Sequence, residues 1–345
     1  ARVGHIRSFG AMCSVAAVAV LISLLIIDPI VWVPVRALSG FCFAGAAMIA
    51  ESWLNEKADA ASRGRVFGIY TMVNLAATTA GQMVLTLGDV SGLFFFVLAA
   101  IVYCLALLPT AVAATTNPTP LTEIRLDIPA LWRNSPVAVF AVFMVGISNA
   151  SFGTLAAVYA AWAGFALSEI ALFASIPILA GALAQIPVGI ASDKFDRRLV
   201  LLVISVLAVA TDAGFLLSGS TDPALLLIIA GLFGATVFVM YPVIVAHAND
   251  HAAPGSFIQV SGGLLLVFGV GSIIGPTVAG LAMGVMDAAA LFAVTGACHL
   301  SIILFTLYRL RIRAAVAQDA KTPFHASPMA RMSTPETVAL AADQR

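Results

Sequence analysis

Few side chains in this sequence are equipped for chemistry, and most of those sit inside long apolar runs. Arg36 is the one cation within such a run, and Asp212 is the one carboxylate well inside another. Asn74, Thr78 and Gln82 recur every four residues, which would set them on one stripe of a helix. Further along come Asn149, Phe152, Tyr159 and Trp162, then Gln185, then Phe238 and Tyr241. A cation, amides, hydroxyls and aromatics can hold a solute; they do not make a nucleophile and its base. No paired carboxylates, no Ser set against His and no H-E-x-x-H spacing is evident within the runs, and every His except His299 lies at a run end, in a loop or in the tail. The sequence therefore predicts no catalytic residues. No G-x-x-x-x-G-K-[ST] loop is present, so nucleotide hydrolysis is not expected to act directly. Cys13, Cys42, Cys104 and Cys298 are far apart inside apolar runs and read as small apolar side chains. His247 and His251 lack companion ligands at metal spacing. Neither a metal nor a cofactor is expected.

The elements that must carry these groups follow from composition. Of 345 residues, 61% are apolar and 10% charged, with a mean hydropathy of +1.05. A soluble globule of this size needs far more polar surface. Disorder, collagen and a disulfide scaffold are excluded on the same figures. Spanning a bilayer takes ~20 apolar residues per helix, and ten runs qualify: 8–27, 30–51, 66–87, 92–112, 136–161, 169–190, 199–217, 223–246, 257–283 and 288–308. They are too long for strands and show no two-residue alternation, so an all-α membrane protein with ten spans is predicted. All but one of the 17 Lys and Arg, among them Arg7, Lys57, Arg63, Arg65, Lys194, Arg197 and Arg198, fall in one set of alternate loops and the termini. The opposite loops carry none. By the positive-inside rule both visible termini face the cytoplasm. The longest internal loop, 113–135, divides four spans from six, and the tail, 309–345, is polar and reads as largely disordered.

An internal repeat emerges when the chain is slid by about 194 positions: Asn55 falls on Asn249, Gly68 on Gly262, and Gly81 on Gly275. Transporter folds are often built from repeated halves. On this register the first half is two helices short at its start, and the chain opens on Ala1 rather than Met, so a missing N-terminal segment is expected.

The stretch Gly189-Ile190-Ala191-Ser192-Asp193-Lys194-Phe195-Asp196-Arg197-Arg198 resembles the cytoplasmic loop signature of the major facilitator superfamily, G-x-x-x-D-[RK]-x-G-R-[RK], with Asp196 in place of Gly. Arg36-Ala37-Leu38-Ser39-Gly40 is similar to the family's R-x-x-Q-G pattern, with Ser39 for Gln, and Gly271-Ser272-Ile273-Ile274-Gly275-Pro276 resembles its G-x-x-x-G-P stretch. Glu51-Ser52-Trp53-Leu54-Asn55, Arg63-Gly64-Arg65, Tyr241-Pro242 and Ala246-His247-Ala248-Asn249-Asp250 resemble the bacterial YcaD-like branch.

The resemblance implies two pseudo-symmetric helical bundles, with the ten spans equivalent to family helices 3–12: an N-terminal bundle at 1–112, a cytoplasmic linker at 113–135, a C-terminal bundle at 136–308 and a cytoplasmic tail at 309–345. It implies a secondary transporter of a small organic solute in the bacterial inner membrane, coupled to protons as the family's commonest drive, working by alternating access as a monomer, with no nucleic-acid partner. The solute would be anionic or amphipathic, since Arg36 would hold an anionic group or tune a carboxylate. Asn74, Thr78, Gln82, Asn149, Tyr159, Gln185 and Tyr241 would line its site or serve coupling. On resemblance, Asp193 would cap a helix of the other half near Gly64-Arg65, Arg197 would pair with Asp250, and Glu51 would take Arg7. With Arg63, Lys194 and Arg198 these would latch the cytoplasmic side. The alternatives are a non-transporting membrane scaffold or receptor, or an inactive truncated transporter. Each group also has a plainer reading: Arg36 snorkelling to the headgroups, the polar stripe bonding helix to helix, aromatics packing, and inner charges merely solvated.

Overall fold

The computed structural model describes residues 5–57, 63–89, 92–112, 127–252, 256–312, 316–317, 321–322 and 324. Arg2, Gly4 and the 113–126 part of the expected linker lie outside them, as do the side chains of Asn55, Lys57, Arg63 and Arg65. Among the described residues the regular structure is helical throughout: α1 (His5–Leu25), α2 (Pro29–Lys57), α3 (Arg63–Val84), α4 (Phe94–Val112), α5 (Ile128–Asn134), α6 (Pro136–Trp162), α7 (Leu167–Lys194), α8 (Arg197–Leu217), α9 (Pro223–Val237), α10 (Met240–Asn249), α11 (Phe257–Val285) and α12 (Ala290–Leu310).

Helix starts follow the local sequence. Proline stands first in α2, α6 and α9, where its missing N–H is no loss. Asp28 caps α2 by accepting from Ile30 N at 2.7 Å, and Asp127, Asp196 and Asp222 cap α5, α8 and α9 in the same way. Gly164 and Gly219, both at positive φ, make the turns after α6 and α8. Trp32 Nε1 donates to Ser23 O and Ile26 O at 3.0 and 2.8 Å, satisfying carbonyls at the end of α1 that would otherwise face hydrocarbon.

All ten apolar runs are helical, yet among the described residues eight helices are long and apolar enough to cross a membrane. The other two runs fall short for different reasons. The apolar stretch of α4, Phe94–Thr110, is too short, and α3 carries the polar stripe that lowers its hydropathy. The eighth run of the sequence is one span, Pro223–Asn249, broken into α9 and α10 at Phe238–Val239. Pro242 accounts for the break, because its ring cannot donate to the carbonyl of Phe238 and clashes with it.

Contacts divide the chain into two compact units. The first comprises Ala1–Tyr70 and Val84–Glu123; the second comprises Thr71–Met83 and Ile124–Arg345. In the first, α1 packs on α2 and α4 through small buried residues, Cys13, Ala16, Ala17 and Ala19. In the second, the main pairings are α6 with α11, α7 with α9, and α12 with both α8 and α6, and Leu75 of α3 packs against the core they enclose.

Two of these pairs touch backbone to backbone. A methyl at Gly146 would overlap Phe268 O; at Gly271, Phe143 O; at Gly275, Ile147 O; and at Gly234, Pro177 O. Small residues at four-residue spacing let membrane helices approach this closely, with van der Waals contact in place of a hydrophobic driving force.

Candidate functional site

The charged cluster closing one end of the second unit is built by three helix termini. α7 ends on Asp193-Lys194, α8 begins on Arg197-Arg198, and Asp250 caps the end of α10. Arg197 is almost fully buried at 1% exposure. Its Nε donates to Asp250 Oδ2 at 2.7 Å and its Nη1 donates to Ser192 Oγ at 3.0 Å, with Asp193 Oδ1 3.6 Å away. Burial at that level is tolerable for a guanidinium only because its donors are filled. Arg198 turns the other way and forks onto Asp196, Nη2 to Oδ2 at 2.8 Å. Lys194 is exposed.

The chain's own tail completes this cluster. Thr322 N and Oγ1 donate to Asp250 Oδ1 at 2.9 and 2.8 Å, and Arg197 Nη2 donates to Thr322 O. Phe324 N donates to Asp193 Oδ1 at 2.8 Å, and Lys321 Nζ to Phe195 O at 2.7 Å. The Phe324 ring lies against Gly189, where a Cβ would come within 2.5 Å of it. In this structure Asp193 thus accepts from a tail amide. Reading the tail as polar and unstructured gave no signal of that contact.

Asp196 stands where the family signature has Gly. Burial raises its carboxyl, but the hydrogen bonds and charge of Arg198 outweigh burial and hold it below the usual aspartate range. A depressed folded value means its contribution is present above the unfolded pKa of ~3.9 and is lost as pH falls through the folded one. Asp196→Ala is accordingly expected to lower stability by about 1 kcal/mol at pH 7, the usual cost of a lost cap, and the difference from wild type should shrink steadily on acidification below pH 4. Thermal unfolding of both proteins across pH 3–7 measures it; a gap independent of pH would contradict this account.

The solute-site candidates separate by environment. Asn149 and Tyr241 are buried in the second unit, and Asn149 Oδ1 and Tyr241 Oη have no hydrogen-bond partner among the described residues. Tyr159 is instead a core residue, its ring 4.9 Å from Phe292 and 5.8 Å from Phe173 and Phe215. Gln185 is buried and partnered. Asn74, Thr78 and Gln82 are half-buried on one face of α3, with Thr78 Oγ1 turned back onto Asn74 O at 2.8 Å. In the first unit Arg36 is exposed, with no hydrogen bond or ion pair among the described residues. Glu51 is fully buried and accepts from Tyr70 Oη at 3.0 Å, whereas Arg7 is exposed.

One constellation escaped the sequence. Asp212 of α8, His299 and Thr295 of α12, and Ser148 of α6 meet inside the second unit, all at 1% exposure or less. His299 Nδ1 lies 2.6 Å from Asp212 Oδ2, Thr295 Oγ1 donates to Asp212 Oδ1 at 2.6 Å, and His299 Nε2 lies 3.0 Å from Ser148 Oγ. The expectation that no Ser stands against His within the runs is therefore corrected. All four side chains are buried, so no scissile group can reach Ser148 in this structure, and the arrangement does not read as a nucleophile. The available signal was one lone carboxylate and one lone imidazole, each inside a span.

Comparison with known proteins decides the family. The sequence profile of the Major Facilitator Superfamily matches residues 138–337, more than half of the chain. The chain belongs to that superfamily. Superfamily relatives include the MFS-type transporter YcaD of Salmonella heidelberg (strain SL476) and of Salmonella agona (strain SL483), each 28% identical over 256 residues. That match covers 73% of this chain and 65% of the relative, so the chain spans about two-thirds of their length or slightly less. Superfamily structures share the fold. The nucleoside transporter NupG superimposes with a TM-score of 0.71 at 14% identity, covering 89% of this chain and 84% of that one. The E. coli fucose:proton symporter FucP gives 0.50 at 13% identity, covering 88% and 83%. This is thus a multi-pass superfamily protein with the superfamily's two-bundle helical architecture.

Proposed function

We propose that this chain carries a small organic solute across the bacterial inner membrane by alternating access, driven by a proton gradient, with both visible termini cytoplasmic. The two bundles would be 1–112 and 136–308, joined by 113–135. Family membership supports transport. The likeness to FucP, a fucose:proton symporter, and to NupG, a nucleoside transporter, supports a small polar organic solute and proton coupling.

The observation that carries the reading to particular atoms is that Asn149 Oδ1 and Tyr241 Oη, two of eight buried side-chain N and O atoms without a hydrogen-bond partner among the described residues, belong to residues the sequence already assigns to the solute path. Buried polar atoms in folded proteins almost always have partners, so each of these oxygens calls for one, and a bound solute would supply it. Arg36, Asn74, Thr78, Gln82 and Gln185 join them as candidates for the solute path or coupling. Arg197, Asp250, Asp193, Glu51, Arg63, Lys194 and Arg198 serve the conformational latch, with the tail holding Asp193 and Asp250 in the conformation described.

The test uses purified protein in proteoliposomes with an imposed pH gradient, a pH-sensitive dye inside, and labelled nucleosides and monosaccharides outside. Solute-dependent internal acidification is expected for one class, and none for any class would sink the reading. Tyr241→Phe should weaken the apparent affinity for that solute about 3- to 10-fold, the worth of one neutral hydrogen bond. Its unfolding temperature should not fall, because its hydroxyl has no protein partner to lose.

A further inference from the structure

The Asp212–His299 pair is unused by any role assigned so far, and its surroundings make it more than a rivet. Asp212 is the one carboxylate in the interior of α8, and His299 is the one imidazole in the interior of α12. Among the described residues, neighbouring elements bring few ionisable groups, and Asp287, in the turn before α12, interacts electrostatically with Tyr159. α9 and α11 bring none. α6 brings Tyr159, whose ring is packed among phenylalanines, and α10 brings Tyr241 and His247. α7 has Glu169, Asp193 and Lys194 at its ends. α12 adds Cys298, which interacts electrostatically with Asp212, together with Tyr308 and Arg309. α8 has Arg197 and Arg198 in its first turn. Arg198 is 14 residues from Asp212 and Arg309 is 10 residues from His299, roughly 21 and 15 Å along their helices at 1.5 Å per residue. Among the described residues no Lys or Arg stands beside Asp212, and the imidazole of His299 is the group in contact with it that can carry a compensating proton.

Bookkeeping of that proton follows from the geometry. A pair holding it is electrically neutral overall, either as carboxylate with imidazolium or as carboxylic acid with imidazole. In both forms Nδ1 shares a hydrogen with Asp212 Oδ2, and Nε2 carries a hydrogen that it donates to Ser148 Oγ. Losing the proton leaves Nδ1–H on a carboxylate and a bare Nε2, which can only accept from the Ser148 hydroxyl. The lone negative charge then left in hydrocarbon is costly unless water reaches it. One proton therefore sets both the charge of the site and the direction of its hydrogen bond to α6, the helix that also carries Asn149.

We propose that Asp212 and His299, with Thr295 and Ser148 as hydrogen-bond partners, form a proton-binding site in the membrane-spanning part of the second unit. Its use in coupling rests on the proton-driven transport proposed above; its ability to take up and release a proton does not.

The test is nitrogen-15 histidine NMR of the full chain in lipid nanodiscs between pH 5 and 10, with His299→Gln used to assign the ring among the five histidines. His299 Nε2 is expected to pass from protonated to bare as pH rises. Asp212→Asn keeps the hydrogen-bonding shape but removes the carboxylate, and should weaken proton binding at His299 at least ten-fold, the usual effect of a partner charge at this distance. Should His299→Gln not fold, assignment passes to Ser148→Ala, which perturbs the Nε2 signal alone. A His299 ring unchanged from pH 5 to 10, or one that titrates identically in Asp212→Asn, overturns the proposal. A titrating His299 in a protein that moves no solute would uphold the site and sink the transport reading; solute-driven acidification beside an inert His299 would do the reverse.

Discussion

Gly275→Ala is expected to destabilise the second unit by about 3 kcal/mol, the upper range for overpacking a tight interior. The added methyl would overlap Ile147 backbone atoms, and a backbone carbonyl cannot rotate aside as a flexible side chain does. α6 and α11 would have to separate, losing the neighbouring approaches of Gly146 to Phe268 and of Gly271 to Phe143 together. The double variant Gly271→Ala/Gly275→Ala should not yield a monodisperse folded protein. The same helix supplies its own control. Gly269 and Gly280 have open space where a Cβ would go, so alanine at either position should be neutral or slightly stabilising through helix propensity. Unfolding temperatures in detergent for the four single and double variants decide the matter. Equal losses at Gly275 and Gly280 would show that glycine matters here for flexibility and that the close approach is incidental.

Asp250→Ala should cost about 3 kcal/mol or more, because it leaves the Arg197 guanidinium buried without its principal carboxylate. Asp193, 3.6 Å away and half-exposed, is a poor replacement. The same substitution removes the acceptor for Thr322 N and Oγ1, so the tail should loosen with it. Trypsin cleavage after Lys321 reports that release separately from stability. Asp250→Ala combined with Arg197→Met should recover much of the lost stability, since an apolar pair of similar volume carries no desolvation cost, while Lys321 stays open to cleavage. A single variant as stable as wild type would mean that the pair is solvated in the working protein.

Hydrophobic length was enough to place all ten helical runs, because a helix is the one way to satisfy a backbone in lipid. It did not reveal that Pro242 splits one span or that α4 falls short, since both depend on a few residues at the ends of long runs. Glycine spacing in α11 announced a close helix contact, but spacing says nothing of the partner, which is α6, some 130 positions earlier. Asp212 was visible as an oddity and His299 as another. Their meeting was not, because they stand 87 positions apart and pairing across helices leaves no local period to read. The tail contact was not legible for a related reason: composition predicts whether a segment can bury itself, and Thr322 and Phe324 are held through main-chain groups by carboxylates elsewhere.

That last mode of attachment has an evolutionary consequence. Two of the tail's anchoring donors are peptide amides, of Thr322 and Phe324, which every residue but proline supplies. Side chains there can drift across generations with the grip retained. Gly189 has no such latitude, because even one methyl meets the phenyl ring. Among descendants of this gene, invariance should be sought at Gly189 and the receiving carboxylates, Asp193 and Asp250, and variety in the side chains at 322 and 324.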